Sequence, residues 1–478
     1  MSRGLSIAPG LAGLALLAGC VSGPDYRAPA LPPGAEAPLV SLRPTAETPA
    51  AAADDWWRLY NDPQLDRLLQ SAFAANTDLK AAEANLSAAR AVLEGARAGR
   101  YPATTTVAGA IYGRDAMTDE ILEIGGHKPE TQWTFDALLD VSYEVDLFGR
   151  VRRSIEAARA DAEATAAARD ALKVTVAAET ARAYAQVCAL GEQIAVARHA
   201  LQVVDRETAI TVNRHDAGAN TEFDVVRSQA LDAQVRAAIP PLEGQRRAAL
   251  FQLTALLGRT PADAPVEALA CVTPPRLGAL IPVGDGAALL KRRPDIRQAD
   301  RRLAGATARI GVATADLYPR ISLTGLYGGV GTHLSDLTAA RGLTWGLGPK
   351  VSWSFPNQAL PRARIRQARA NADAALDQFD SAVLQALRET ETTLAAYGAD
   401  LDRRDALAEA QTKSQRAFDL AHDQFINGAL TNLDLLAAEQ ALVSADSAVA
   451  ASDAALVQDQ IAVFKALGGG WASGGPPG

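Results

Sequence analysis

Four acidic residues, Asp136, Asp140, Glu144 and Asp146, sit at even positions of a stretch whose odd positions read Trp133, Phe135, Ala137, Leu139, Val141, Tyr143, Val145 and Leu147. A strand turns successive side chains to opposite faces, so this alternation predicts one apolar and one acidic face. Lining a water-filled pore, such acids focus a negative field that favours cations; on an outer surface they are simply hydrated. A second acidic pair, Asp224 and Asp434, follows two glycine turns at equal distance. The histidines, at 127, 199, 215, 333 and 422, are scattered, with His127 and His333 in expected outer loops and His215 and His422 near helix ends. A metal-export reading can be attached to them, but solvated histidines fit the same scatter. There is no H-E-x-x-H, no G-x-S-x-G and no phosphate-binding glycine loop, so the sequence offers no catalytic residues, no metal site and no enzyme.

The one modification chemistry legible in the chain is at its start. Arg3 precedes an apolar run from about Leu5 to Leu17, too short for a permanent span and suited to a signal-peptide core. Leu17-Ala18-Gly19-Cys20 resembles a bacterial lipobox, in which cleavage leaves Cys20 as a lipid-modified first residue; Val21 in place of aspartate favours delivery to the outer membrane. A covalent lipid on Cys20 is the only prosthetic group expected, and it anchors without spanning. Cys188 and Cys271 remain. An oxidising periplasm permits a disulfide between them, but their separation and dissimilar contexts favour buried free thiols.

Composition sets the class of object. The hydrophobic share of 48% is carried by alanine rather than by aromatics, which make up 5%, so long helices are expected rather than a thick core. A net charge of -8 gives no footprint for nucleic acid.

Taken in order, residues 1–19 read as a signal peptide and 20–60 as a lipidated, Pro/Ala-rich tether. Residues 61–100 hold two short helices, and 101–148 a β-hairpin whose first strand places Ala103, Val107 and Ile111 on one face and Thr104, Thr106 and Tyr112 on the other. Residues 149–258 form a helical hairpin turned at Ala217-Gly218-Ala219-Asn220-Thr221, its return helix kinked or broken at Pro240-Pro241. An irregular connection at 259–293 leads to a short helix at 294–317, a second β-hairpin at 318–356, a second helical hairpin at 357–467 turned at Gly428-Ala429-Leu430-Thr431, and a tail at 468–478. Gly218 and Gly428, Thr221 and Thr431, and Asp224 and Asp434 are each 210 positions apart, which predicts two internal repeats. Each long helix extends about 100 Å at 1.5 Å per residue, and a short helix placed end to end with a return helix matches it. Leu376, Phe379, Val383, Leu387, Leu394, Tyr397 and Leu401 supply a coiled-coil seam.

Four strands of this length, apolar on one face with Trp and Tyr near their ends, suit an outer-membrane barrel. Four strands cannot close alone, so partner copies are required: two give eight strands, three give twelve. Trp56-Trp57 with Asp62-Pro63, Arg292-Arg293-Pro294-Asp295-Ile296, Tyr318-Pro319-Arg320-Ile321-Ser322-Leu323-Thr324-Gly325 and Ala466-Leu467-Gly468-Gly469-Gly470-Trp471, together with the lipobox, resemble the TolC/OprM/NodT family of outer-membrane efflux lipoproteins.

That resemblance implies a mixed, mainly α fold: very long coiled-coil helices in an α-barrel, plus four strands per chain in a trimeric 12-stranded transmembrane β-barrel. It implies a homotrimer held in outer-membrane lipid and extending into the periplasm, with a periplasmic adaptor docking at Gly218, Asn220, Thr221, Gly428 and Thr431, and an inner-membrane transporter supplying the energy. Asp224 and Asp434 then form a ring of up to six carboxylates at the periplasmic constriction, unless they are ordinary solvated helix surface. Members of the family often carry a Tyr-Arg pair before the second turn and an aspartate after it; here Phe425-Ile426 and Ala437 stand instead, so the usual gate is altered. The expected function is a passive exit duct for small molecules such as drugs. A protein-secretion duct and a pore-less lipid-anchored coiled-coil protein are the alternatives.

Overall fold

The computed structural model describes residues 21–43, 45–48, 50, 54–114, 124, 131–278, 280–284 and 286–469. Cys20, the expected signal peptide, His127 and most of the C-terminal tail lie outside the described residues. In chain order the elements are β1 (Glu47–Thr48), α1 (Pro63–Ala75), α2 (Thr77–Ala98), β2 (Ala103–Gly113), β3 (Gln132–Val145), α3 (Arg150–Asp216), α4 (Glu222–Leu256), β4 (Ile281–Pro282), α5 (Gly286–Arg292), α6 (Pro294–Ala315), β5 (Arg320–Gly331), β6 (Leu343–Ser352), α7 (Ala359–Ile426) and α8 (Asn432–Ala466). Helices α3 and α7 have 67 and 68 residues, α4 and α8 have 35 each, and α2 and α6 have 22 each. Among the described residues no helix is long and apolar enough to cross a membrane.

The chain divides into two compact units. The first takes the described part of Met1–Pro29 with Leu86–Thr165 and Ala299–Phe379. It contains an antiparallel four-stranded sheet in the order β2-β3-β5-β6, so β2 and β6 are its free edges. Register fixes the faces. Leu139 pairs with Thr106 and Tyr327, Tyr327 with Trp345, and Tyr112 with Trp133, whose rings lie 5.3 Å apart. On the other face Asp136 pairs with Gly109 and Val330, and Asp140 with Thr105 and Leu326. The first strand divides as its alternation gives, and pairing decides which face is which: Val107 pairs with Leu138 and Ile111 with Thr134, so both share the acidic face, while Thr104 and Thr106 lie on the apolar one. The Tyr112–Trp133 aromatic pair is the kind of cross-strand contact that sets register, and threonine is at home on a strand.

Below the sheet, Leu93, Val151, Ile155, Ala158 and Ala162 form one apolar cluster, and Leu303, Ala306, Ile310, Ala372 and Ala375 another. Both are half alanine or more in their α3 and α7 contributions, which keeps neighbouring helices close. Residues 21–25 are pinned here: Ser22 N donates to Phe148 O at 3.0 Å, and Arg153 donates to Ser22 O at 3.1 Å and Asp25 at 2.7 Å.

The second unit takes Ala30–Asn85, Ala166–Gln298 and Asp380–Gly478. Its core gathers Trp56, Leu65, Leu69, Tyr184, Leu190, Leu253, Leu394, Ile461 and Phe464. Trp56 stacks on Phe464 with ring centroids 4.8 Å apart, Asp62 caps α1 through Gln64 N and Leu65 N, and Tyr184 donates to Asp62 at 2.8 Å. Three sequence expectations change here. The tether is docked rather than free: Val40 N and Ser41 N donate to Glu391, Arg43 pairs with Asp402, and β1 lies parallel to β4. Cys188 and Cys271 form a disulfide with Cα atoms 4.8 Å apart, because the 259–293 connection folds back onto α3 where Arg246 holds the carbonyls of Val187, Leu269 and Cys271. Helix α4 continues through Pro240 and Pro241; the acceptors that lose donors belong to the exposed Arg236 and Ala237, whose carbonyls water can serve.

Candidate functional site

The two turns expected at the functional tip are built alike. After α3, Gly218 adopts a φ of 76°, Gly218 N donates to His215 O at 2.8 Å and Ala219 N to Arg214 O at 2.7 Å. After α7, Gly428 has a φ of 74°, with Gly428 N on Phe425 O at 3.0 Å and Ala429 N on Gln424 O at 2.8 Å. Nothing lies within 4 Å of a Cβ added at either glycine, so the left-handed backbone, not crowding, is what demands glycine.

Thr221 and Thr431 then cap α4 and α8. Asp224 N donates to Thr221 Oγ1 at 3.3 Å and Thr221 N returns a 3.0 Å bond to Asp224 Oδ2, a closed capping box. Asp434 N donates to Thr431 Oγ1 at 3.3 Å, and Thr431 Oγ1 to Asp434 Oδ2 at 2.5 Å. The hydrogen bonds from Thr221 hold the Asp224 carboxyl below the usual carboxylate range. Both aspartates are exposed or half-exposed, so each combines a capping task with a negative charge beside a tip. Among the docking candidates, Gly218, Thr221, Gly428 and Thr431 are exposed and Asn220 half-buried.

Ahead of the second turn, Phe425 is 1% exposed, a core residue, whereas Ile426 is 54% exposed. The Arg214 guanidinium lies 4.4 Å from the Phe425 ring centroid, and its Nη1 donates to Phe425 O at 2.8 Å. Arg214 was not legible as a site residue; a cation in the last turn of a helix signals only an interaction with the dipole.

The four acids, of which Asp146 lies one residue beyond β3, separate into two pairs. Glu144 is bound by Arg150, Nε to Oε1 at 2.7 Å, and Asp146 accepts from Val151 N at 3.0 Å and Arg152 N at 2.9 Å at the start of α3. Asp136 and Asp140 stay on the strand face, with Asp136 leaning over Gly109, where a Cβ would meet its carboxylate at 2.6 Å. No group of three or more metal-ligating side chains occurs among the described residues.

The arrangement is one of an apolar-faced sheet, long helices and capped tips. A model of the outer membrane efflux protein family matches residues 68–259 and 287–469. The chain is 31% identical over 436 residues to the pyoverdine export outer membrane protein OpmQ of Pseudomonas aeruginosa, covering 87% of this chain and 88% of that protein. It is 28% identical over 473 residues to the probable outer membrane lipoprotein SilC of Salmonella typhimurium, covering 95% and 97%. The solved outer-membrane channel OprN superposes with a TM-score of 0.86 at 34% identity, covering 95% of this chain and 100% of that one. With both helical hairpins and both β-hairpins inside the matched ranges, the chain belongs to the outer membrane efflux protein family, the outer-membrane channel components of efflux pumps.

Proposed function

We propose that three copies of this chain close one twelve-stranded barrel in the outer membrane and continue as a helical tunnel through the periplasm, forming a passive exit duct for small molecules delivered by an inner-membrane pump and a periplasmic adaptor. The observation that carries this reading is the sheet: Trp345, Leu347, Tyr327 and Val351 are 73, 74, 61 and 61% exposed on one face, and both edges are open. Open edges are untenable in lipid, and joining β2 of one copy to β6 of the next removes them. The equal lengths of α4 and α8 and of α2 and α6, and the one-residue difference between α3 and α7, support two structural repeats per chain.

A lipid on Cys20 suits the position of its neighbours, since Ser22 is bonded to Phe148 and Val21 packs against Gly149 where β3 gives way to α3. On this reading Asp136 and Asp140 line the barrel lumen, Asp224 and Asp434 ring the periplasmic entrance, and the two glycine turns receive the adaptor. Photo-crosslinking residues placed at Asn220 and Thr431 in living cells test it. Capture of a periplasmic efflux adaptor, identified by mass spectrometry, supports the docking assignment; capture of no adaptor from either position overturns it.

A further inference from the structure

Behind the turns, α3, α7 and α8 meet at ionisable groups that neither the caps nor the sheet uses. Glu439 of α8 is 1% exposed and Glu207 of α3 is 6% exposed. His422 of α7 approaches Glu207, Nδ1 to Oε1 at 3.1 Å. Glu207 Oε2 and Glu439 Oε1 have no hydrogen-bond partner among the described residues. Apolar layers flank the cluster along the helices: Val204, Leu231, Val235, Leu436 and Val443 before it, and Ile210, Phe418, Ala421, Phe425 and Leu435 toward the turns.

Other charges on these elements are engaged or face outward. Arg214 of α3 is bound to the Phe425 carbonyl, and Arg206 is exposed. On α4, Arg236 pairs with Asp232 and with Asp205 of α3, and Arg227 lies over the Phe223 ring. Asp419 and Asp423 of α7 are exposed, and Asp434 of α8 serves its cap. His422 Nδ1 therefore lies beside Glu207 without completing a hydrogen bond, and Glu439 is buried on the facing side of α8 with its Oε1 unpartnered. Burial and the neighbouring Glu207 push Glu439 up to about 7.

We infer that Glu207, His422 and Glu439 form a proton-operated latch that holds α3, α7 and α8 together beside the tip and releases when Glu439 ionises. The inference rests on reading that tip as the channel's periplasmic entrance. With Glu439 neutral, α8 brings no charge to the buried junction. Loss of its proton to water leaves two carboxylates in a poorly hydrated site, and separating α8 from α3 is what restores their hydration. The ionised fraction of Glu439 rises about tenfold between pH 6 and pH 8, a window above that of exposed carboxylates.

The test uses the full-length protein with nitroxide labels at Arg206→Cys and Gln440→Cys, exposed sites flanking the cluster on α3 and α8; Cys188 and Cys271 are paired and stay unlabelled. The expected result is a longer label-to-label distance at pH 8 than at pH 6, with Glu439→Gln holding the pH 6 distance throughout. Asp459→Asn, which removes a different, half-buried acid, should keep the shift. Open probability in planar bilayers should rise about tenfold over the same range and stay flat in Glu439→Gln. A distance that ignores pH, or a Glu439→Gln protein that still shifts, overturns the latch. A distance shift with unchanged open probability overturns its gating role. Absence of conductance at every pH counts against the channel reading instead, while the distances still decide the latch.

Discussion

Arg293 Nη1 donates a 2.6 Å hydrogen bond to the carbonyl of Ala466, the last residue of α8, while Nη2 holds Asp295 at 2.7 Å and Glu389 at 2.8 Å. One guanidinium thus closes the orphan end of a 35-residue helix and ties it to two others. Removing it leaves the Ala466 carbonyl with only the longer bond from Thr390 and returns two half-exposed carboxylates to water. Arg293→Ala should cost about 1–2 kcal/mol of stability, read as a lowered thermal unfolding midpoint. Arg293→Lys should recover only part of that loss, since a point charge cannot replace a three-way fork.

Register makes a prediction that composition alone would reverse. Leu347 pairs with Gly325 on the face of Trp345 and Tyr327, whereas Ile111 pairs with Thr134 beside the acids. Leu347→Arg should cost about 2–4 kcal/mol if it faces lipid near mid-membrane and should sharply reduce the folded protein recovered from outer membranes. Ile111→Arg should assemble at close to normal levels. Equal loss in both variants would contradict the face assignment.

The carboxyl of Asp459 is pushed up to about 7 by burial and by the adjacent Asp400. A folded-state value above the unfolded one means the contribution to stability is complete at low pH and declines as pH rises from about 4 through about 7. Thermal midpoints should therefore fall across that window. Asp459→Asn should flatten the decline and give a midpoint above the parent's at pH 8.

Asp224 and Asp434 carry a cap and a charge at once, and the two can be separated. Asn keeps an oxygen acceptor for the cap and removes the charge. Asp224→Asn with Asp434→Asn should lower cation selectivity in planar bilayers with little change in thermal midpoint. Unchanged selectivity would confine both residues to capping.

Much of the fold was legible because its signals are local and periodic. Gly218 and Gly428 announce turns, and the β3 alternation announces a two-faced strand. What escaped depends on distant parts of the chain. The sense of Val107 and Ile111 is set by pairing with β3, not by their own strand. The Cys188–Cys271 bridge depends on how an irregular connection 83 residues away returns to α3. The docking of residues 39–48 depends on Glu391 and Asp402, far along the sequence. At the site, the positions of Asp224 and Asp434 were readable from spacing, but their commitment to the caps and the Arg214–Phe425 contact were not.

If three copies join their open four-stranded sheets, they enclose a continuous water-filled pore. Purified full-length protein, sized as a particle of three copies, can be added to planar lipid bilayers. Discrete, long-lived conductance steps selective for cations are the expected result. Trimeric protein that inserts without conductance, or conductance from a single copy, would contradict it.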